Sequence, residues 1–257
     1  MESILNWVDE RIEIRSIWTA IMERNIPIGV NWWYTLGSAT LFIFMLQAVT
    51  GMFLAMYYSP SPDHAYDSIQ FIMNTVIFGR VVRGLHHWGA SAMVVLATVH
   101  MLRVFVMGAY KYPREMTWAV GVVLLLLTLG FGFTGYLLPW DEKAYWATTV
   151  GTNMAGTVPY VGDFLMKVTR GGSELGAVTL TRFYSAHMLL LPAATLLFIT
   201  VHLFMVIKQG ISAPPKLQEA DDRGMQALGP STSLNRGTTL SGSGEEQKGM
   251  DVPRPKF

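Results

Sequence analysis

The sequence contains no cysteine among its 257 residues, and only 14% of them are Asp, Glu, Lys or Arg. Without a thiol there is no disulfide, no thiolate-held zinc or iron–sulfur cluster and no thioether bond to a haem, so any metal has to be held by histidine or carboxylate. Basic residues form no run or stripe and the formal net charge is +1, which argues against a nucleic-acid-binding surface. The N-terminus lacks a basic segment followed by an apolar core and a small-residue cleavage site, so no removable signal peptide is expected. Apolar residues take the place of charge. They make up 51% of the chain, a balance that belongs to an integral membrane protein.

Four apolar stretches are long enough to cross a hydrocarbon core, which takes about 20 helical residues: Trp32 to Tyr57, Val81 to Met107, Trp118 to Leu138 and Phe183 to Ile207. The expected fold is an all-α, four-helix transmembrane bundle over residues 31–208. Residues 1–30 interleave Ile4, Leu5, Trp7, Val8, Ile12, Ile17 and Trp18 with Glu10, Arg11, Glu13 and Arg15, which predicts an amphipathic helix lying on the membrane surface. Residues 209–257 are rich in Gly, Pro, Ser and mixed charge, the composition of a disordered tail.

Cytoplasmic loops carry an excess of Lys and Arg. The loop Ser59 to Gly79 has none, while the second and third spans are joined through Lys111 and Arg114, and Lys208 to the end adds more. Both termini are therefore expected in the cytoplasm. The second and fourth spans then run parallel, from outside to inside.

Those two spans carry His86 and His100, and His187 and His202. Ionisable side chains inside a membrane are costly and face a partner in the bundle interior. The spacings of 14 and 15 residues are about four turns, less about 40° in one case and plus about 60° in the other, with ~21 Å between the histidines of one helix. Two on one helix cannot share a metal, so pairing runs between helices, His86 with His187 at the outer level and His100 with His202 at the inner. Two imidazoles facing across a gap suit a six-coordinate haem iron with no position open to oxygen. His87 and His64 fit neither level. Gly37 and Gly51 on the first span, and Gly121 and Gly135 on the third, repeat the 14-residue interval. A residue without Cβ lets a porphyrin edge approach the backbone. Arg83 and Arg103, three residues outside His86 and His100, are placed to neutralise haem propionates.

The third span ends in Gly-Tyr-Leu-Leu-Pro-Trp-Asp, Gly135 to Asp141, and is followed by a loop of unusual length whose segment Val158 to Thr169 reads as short surface helices. With the paired histidines, the four glycines, Lys-Tyr-Pro-Arg-Glu-Met-Thr-Trp (Lys111 to Trp118), Thr-Leu-Thr-Arg-Phe-Tyr-Ser-Ala-His (Thr179 to His187) and Lys-Gln-Gly-Ile-Ser (Lys208 to Ser212), the chain from about Met22 to Ala213 resembles the cytochrome b subunit of quinol-oxidising cytochrome bc complexes. The short cytochrome b6 form is the nearer likeness. The 15-residue spacing on the fourth span is similar to that form, whereas long mitochondrial-type chains usually have 14.

The resemblance implies a di-haem subunit of a quinol:cytochrome c, or plastocyanin-type acceptor, oxidoreductase. Quinol is oxidised outside, one electron passing to a Rieske iron–sulfur protein and a c-type cytochrome, the other crossing through two noncovalent b-type haems to reduce quinone inside, with protons released outside. It places Tyr136, Pro139, Ala147 and Val150 in the outer quinol pocket. It implies a dimeric complex in a bacterial plasma membrane, with a separate subunit supplying the remaining cytochrome b helices. At Thr35 the chain departs from plastid and cyanobacterial members, which carry a cysteine there that attaches an additional haem, and at Ile207 it is apolar where plastid members have an arginine. No covalent haem is therefore expected. The alternative is a four-helix di-haem membrane anchor of a dehydrogenase, which has no reason to contain the Pro-Trp-Asp segment and its long outer loop; a transporter with structural histidines would show no visible absorption.

Overall fold

The computed structural model describes residues 2–22 and 29–214, and among them there is no strand. Four helical segments are long and apolar enough to cross a membrane. The first joins a short 3-10 turn, Trp32–Thr35, to α3, Leu36–Ala55; the others are α5, Gly79–Val106, α6, Glu115–Leu137, and a continuous segment Ala177–Gln209. That last segment consists of α9, Ala177–Ser185, a π turn, Ala186–Leu190, and α10, Leu191–Gln209. It begins six residues before the expected start at Phe183. The difference arises because Thr179 and Leu180, fully buried, tie the polar turn at its start to the neighbouring loop.

The N-terminal surface helix is two helices, α1, Glu2–Ile12, and α2, Ile14–Met22. Glu13 breaks them apart with φ 50, a left-handed conformation that no α-helix continues through. Trp7, Ile12, Ile14 and Trp18 are exposed, the uncovered apolar face that an interfacial helix presents to lipid. Residues 23–28 and 215–257, which include most of the expected tail, lie outside the described residues. The chain divides into two units at Ala213 and Pro214.

The long loop is more helical than its sequence suggested. The side chain of Asp141 accepts from the backbone N–H of Ala144 at 2.8 Å and so caps α7, Glu142–Gly156, a standard satisfaction of an orphan helix donor. Pro159 separates it from α8, Gly162–Arg170, which stops at Gly171 in the left-handed region, φ 82. With α4, Ala65–Asn74, these helices lie at one end of the bundle, called here the capped end. Leu137, Leu180, Phe183 and Ala65 form its apolar core, and the Tyr58 hydroxyl donates to the Leu138 carbonyl at 2.6 Å. Burial, reinforced by the neighbouring Tyr184, pushes ionisation of Tyr58 well up, so its O–H remains a donor.

Arg170 locks this end together. Only 6% exposed, it donates through Nε to Thr152 Oγ1 (2.7 Å), through Nη1 to the Ser173 carbonyl (3.0 Å) and through Nη2 to the Thr149 carbonyl (3.0 Å) and Asn153 Oδ1 (2.8 Å). No carboxylate is involved, so the cation is held by dipoles alone. Each bond to a charged group contributes about 1.5–3 kcal/mol. Arg170→Met is expected to loosen the α7–α8 layer and to speed limited proteolysis within residues 142–176 of the intact membrane protein; an unchanged digestion pattern would contradict this role.

Within the membrane, α3 packs on α5 and α10 on α6, with α5 and α6 also in contact. Few residues of the spans are buried, as suits helices whose outer faces meet lipid. The space between the two helix pairs is where the site lies.

Candidate functional site

His86 and His187 face each other across the bundle near the capped end, their ring centres 6.4 Å apart and their planes at 71°. That separation matches two metal–nitrogen bonds of about 2 Å laid end to end between imidazoles. Beside the gap is an apolar cavity of ≈ 310 Å³ lined by Phe44, Met52, Met93, Val94, Phe131 and Pro192 together with both histidines. Toward the other end, His100 and His202 lie close enough to interact electrostatically. His87 and His64 are exposed, His87 resting its ring edge on Trp88. Among the described residues no three metal-binding side chains cluster; the histidines come in twos.

Each paired histidine lies against one of the glycines. A Cβ built on Gly51 would meet His86 Cε1 at 3.2 Å, and one on Gly135 would meet His187 Cε1 at 2.7 Å. On Gly37 it would meet His100 Cε1 at 3.2 Å, and on Gly121 His202 Cε1 at 3.5 Å. The glycines thus make room for the imidazole of the neighbouring helix. This contact with the imidazole stands beside the expected room for a porphyrin edge and is not visible in the sequence.

The unequal histidine spacings are reconciled by the π turn. Leu191 N–H bonds to the Ala186 carbonyl, five residues back, so the segment takes in one extra residue without the usual advance in register. Pro192, which has no N–H to give, follows directly. Fifteen residues on this segment therefore reach the same two glycines that are 14 apart on α6.

The imidazole Nδ1 atoms at the capped end are held by hydroxyls. Thr50 Oγ1 is 3.0 Å from His86 Nδ1 and Thr134 Oγ1 is 3.0 Å from His187 Nδ1. At the other end the Thr117 backbone stands beside His202, while among the described residues His202 Nδ1 closes no hydrogen bond of normal geometry. Arg103 stacks on Tyr34 with its guanidinium carbon 3.6 Å from the ring centre. Among the described residues its Nε and Nη2, and the Tyr34 hydroxyl, are buried without a hydrogen bond of normal geometry. A buried, unsatisfied guanidinium is costly, and an anionic acceptor would relieve it. Arg83 is half-buried and, among the described residues, its Nη1 reaches the Met73 sulfur at 3.8 Å.

These features fit haem: imidazoles at a two-bond separation, positions where a Cβ would collide, an apolar cavity and orphaned donors for carboxylates. The expected quinol-pocket residues lie at the surface of the described chain. Tyr136 is 51% and Val150 57% exposed, Ala147 is exposed and Pro139 partly so. None of the four lines the cavity between His86 and His187. Thr35 is exposed and its hydroxyl donates within its own turn to the Trp32 carbonyl at 2.7 Å.

Comparison with known proteins places these observations. The chain is 45% identical over 222 residues to the menaquinol:cytochrome c reductase cytochrome b subunit of Geobacillus thermodenitrificans, covering 83% of this chain and 99% of that protein. It is 44% identical over 214 residues to cytochrome b6 of Synechococcus elongatus, covering 83% of this chain and 100% of that one. A solved chain of a hyperthermophilic respiratory Complex III superposes with a TM-score of 0.76 at 32% identity; the match covers 82% of this chain and 56% of that chain. None of these relatives favours the dehydrogenase-anchor alternative. The profile of the family Cytochrome b/b6/petB matches residues 21–210, and the chain is an integral membrane, haem-binding member of the cytochrome b family.

Proposed function

We propose that the chain is the di-haem cytochrome b subunit of a quinol:cytochrome c oxidoreductase, with one noncovalent b-type haem between His86 and His187 and a second between His100 and His202. The observation that carries this reading is the facing pair His86 and His187 at 6.4 Å, each ring seated against a glycine of the adjacent helix. Bound there, haem would supply one-electron transfer, with His86 and His187 holding one group and His100 and His202 the other. Arg103 and Arg83 hold the propionates at the two levels. The apolar cavity beside His86 and His187 would keep water away from the outer group.

The capped end is the outer face, and both termini are cytoplasmic in a bacterial plasma membrane. The charge distribution supports this: the loop 59–79 has no Lys or Arg, whereas Lys111 and Arg114 stand at the opposite end. Quinol is oxidised beside Tyr136, Pro139, Ala147 and Val150, and quinone is reduced near the inner haem. The Rieske protein, a c-type cytochrome and a subunit carrying further cytochrome b helices complete a dimeric complex.

The test is haem content. The purified complex is expected to carry two b haems on this chain, both released by acid–acetone because the chain offers no thiol. His100→Leu is expected to lose one and retain most of the other. Loss of neither haem would refute the pairing, and a haem-staining band at this chain's mass after extraction would refute noncovalent binding.

A further inference from the structure

We propose that Thr50 and Thr134 are positioning residues that fix the tautomer and orientation of His86 and His187 and lower the outer haem's redox potential. This rests on the two-haem reading above. Each threonine immediately precedes the glycine against which the imidazole lies: Thr50 before Gly51, Thr134 before Gly135. Each hydroxyl has one proton, and that proton is already committed to its own helix. Thr50 Oγ1 donates to the Leu46 carbonyl at 2.7 Å, and Thr134 Oγ1 to the Gly130 carbonyl at 2.8 Å. Toward the histidine, the oxygen has only lone pairs to offer.

The 3.0 Å contacts to His86 Nδ1 and His187 Nδ1 are therefore bonds in which the imidazole N–H donates. With Nδ1 protonated in both rings, Nε2 keeps its lone pair. Both lone pairs are thus available to the shared gap at once. The carbonyls of Gln47 and Phe131 stand beside the same rings, so the hydroxyls hold the rings within a wider set of acceptors. Thr50 is only 5% exposed, where a hydrogen bond is not diluted by water.

The inner level is built differently. Leu36 and Val120 occupy the positions before Gly37 and Gly121, and neither side chain accepts a hydrogen bond. An acceptor on Nδ1 makes an imidazole a more basic ligand. A more basic ligand favours the ferric form and lowers the potential of the couple. Two such acceptors at the outer level and none from these positions at the inner one bias the electron inward.

The experiment is a redox titration of the assembled complex, followed by b-haem absorbance, in wild type, Thr50→Val, Thr134→Val, the double variant and the serine variants of both positions. Wild type is expected to hold two b haems per chain and to show two components; one haem per chain would refute the two-haem reading beneath the proposal, whereas two haems titrating as a single component overturn the proposal itself. Given two, the lower component of the double valine variant is expected to rise by about 59 mV, a tenfold change in its reduced-to-oxidised ratio. The upper component is expected to stay in place, and the serine variants, which keep the hydroxyl, to match wild type. An unshifted lower component in the double variant, or an equal shift of both components, overturns the proposal. Should valine expel the outer haem, retention of that haem by the serine variants supports it, and loss in serine as well shows a packing role and overturns it.

Discussion

Gly135→Val is expected to expel the outer haem and lower quinol oxidation by the assembled complex about a hundredfold, the upper end of what disturbing a ligand's support costs. A single added Cβ at this position would already stand 2.7 Å from His187 Cε1, 3.2 Å from Nδ1 and 3.3 Å from Nε2, across the face of the ring. The ring has nowhere to retreat. Thr134 holds Nδ1 from the same helix, and Phe131 meets the ring edge-on with centres 5.4 Å apart. Gly121→Ala sets the scale, because its Cβ would sit 3.5 Å from His202, an ordinary contact. That variant is expected to keep both haems. Reduced-minus-oxidised spectra normalised to subunit amount give the answer, and wild-type haem content in Gly135→Val would remove the steric basis for the glycine assignments.

The isolated chain is expected to bind both haems yet show no quinol:cytochrome c reductase activity above the uncatalysed rate. A quinone site has to bury most of its ligand to orient it and exclude water. Here Tyr136 and Val150 are more than half exposed, and Ala147 beside them is exposed too, so they form one wall and no enclosure. The other walls are expected from a partner subunit. Activity is expected to return on reconstitution with the complex's remaining subunits. Sustained turnover by the single chain, its purity checked by mass spectrometry, would show that the pocket closes within this polypeptide.

Much of this architecture is legible from side-chain type alone. Long uncharged runs can only be spans, since a backbone in lipid has to satisfy its own hydrogen bonds, and intramembrane histidines stand out because they are expensive there. The two-helix N-terminal segment was not legible, because an amphipathic pattern continues through Glu13 while its backbone does not. Neither was the early start of the fourth span. Thr-Leu-Thr-Arg reads as loop until the tertiary contacts of Thr179 and Leu180 draw it into α9. The threonine supports were missed for another reason. Thr50 and Thr134 look like ordinary apolar-helix threonines bonded to their own backbone, and they are; only the neighbouring helix reveals the second use of each oxygen. A signal was nonetheless present, in that both precede a glycine of the 14-residue pattern.

The π turn at Ala186–Leu190 means that residue count and side-chain placement are separable in the fourth span. Where a locally widened winding absorbs a residue, loss of one residue between His187 and His202 leaves the two imidazoles aimed at the same neighbours. Intervals of 14 and 15 are then two spellings of one geometry. Length differences at this place between related chains are silent at the site, whereas the same change within α6, a regular helix from Glu115 to Leu137, would swing Gly121 or Gly135 by about 100° and close the space that its histidine occupies.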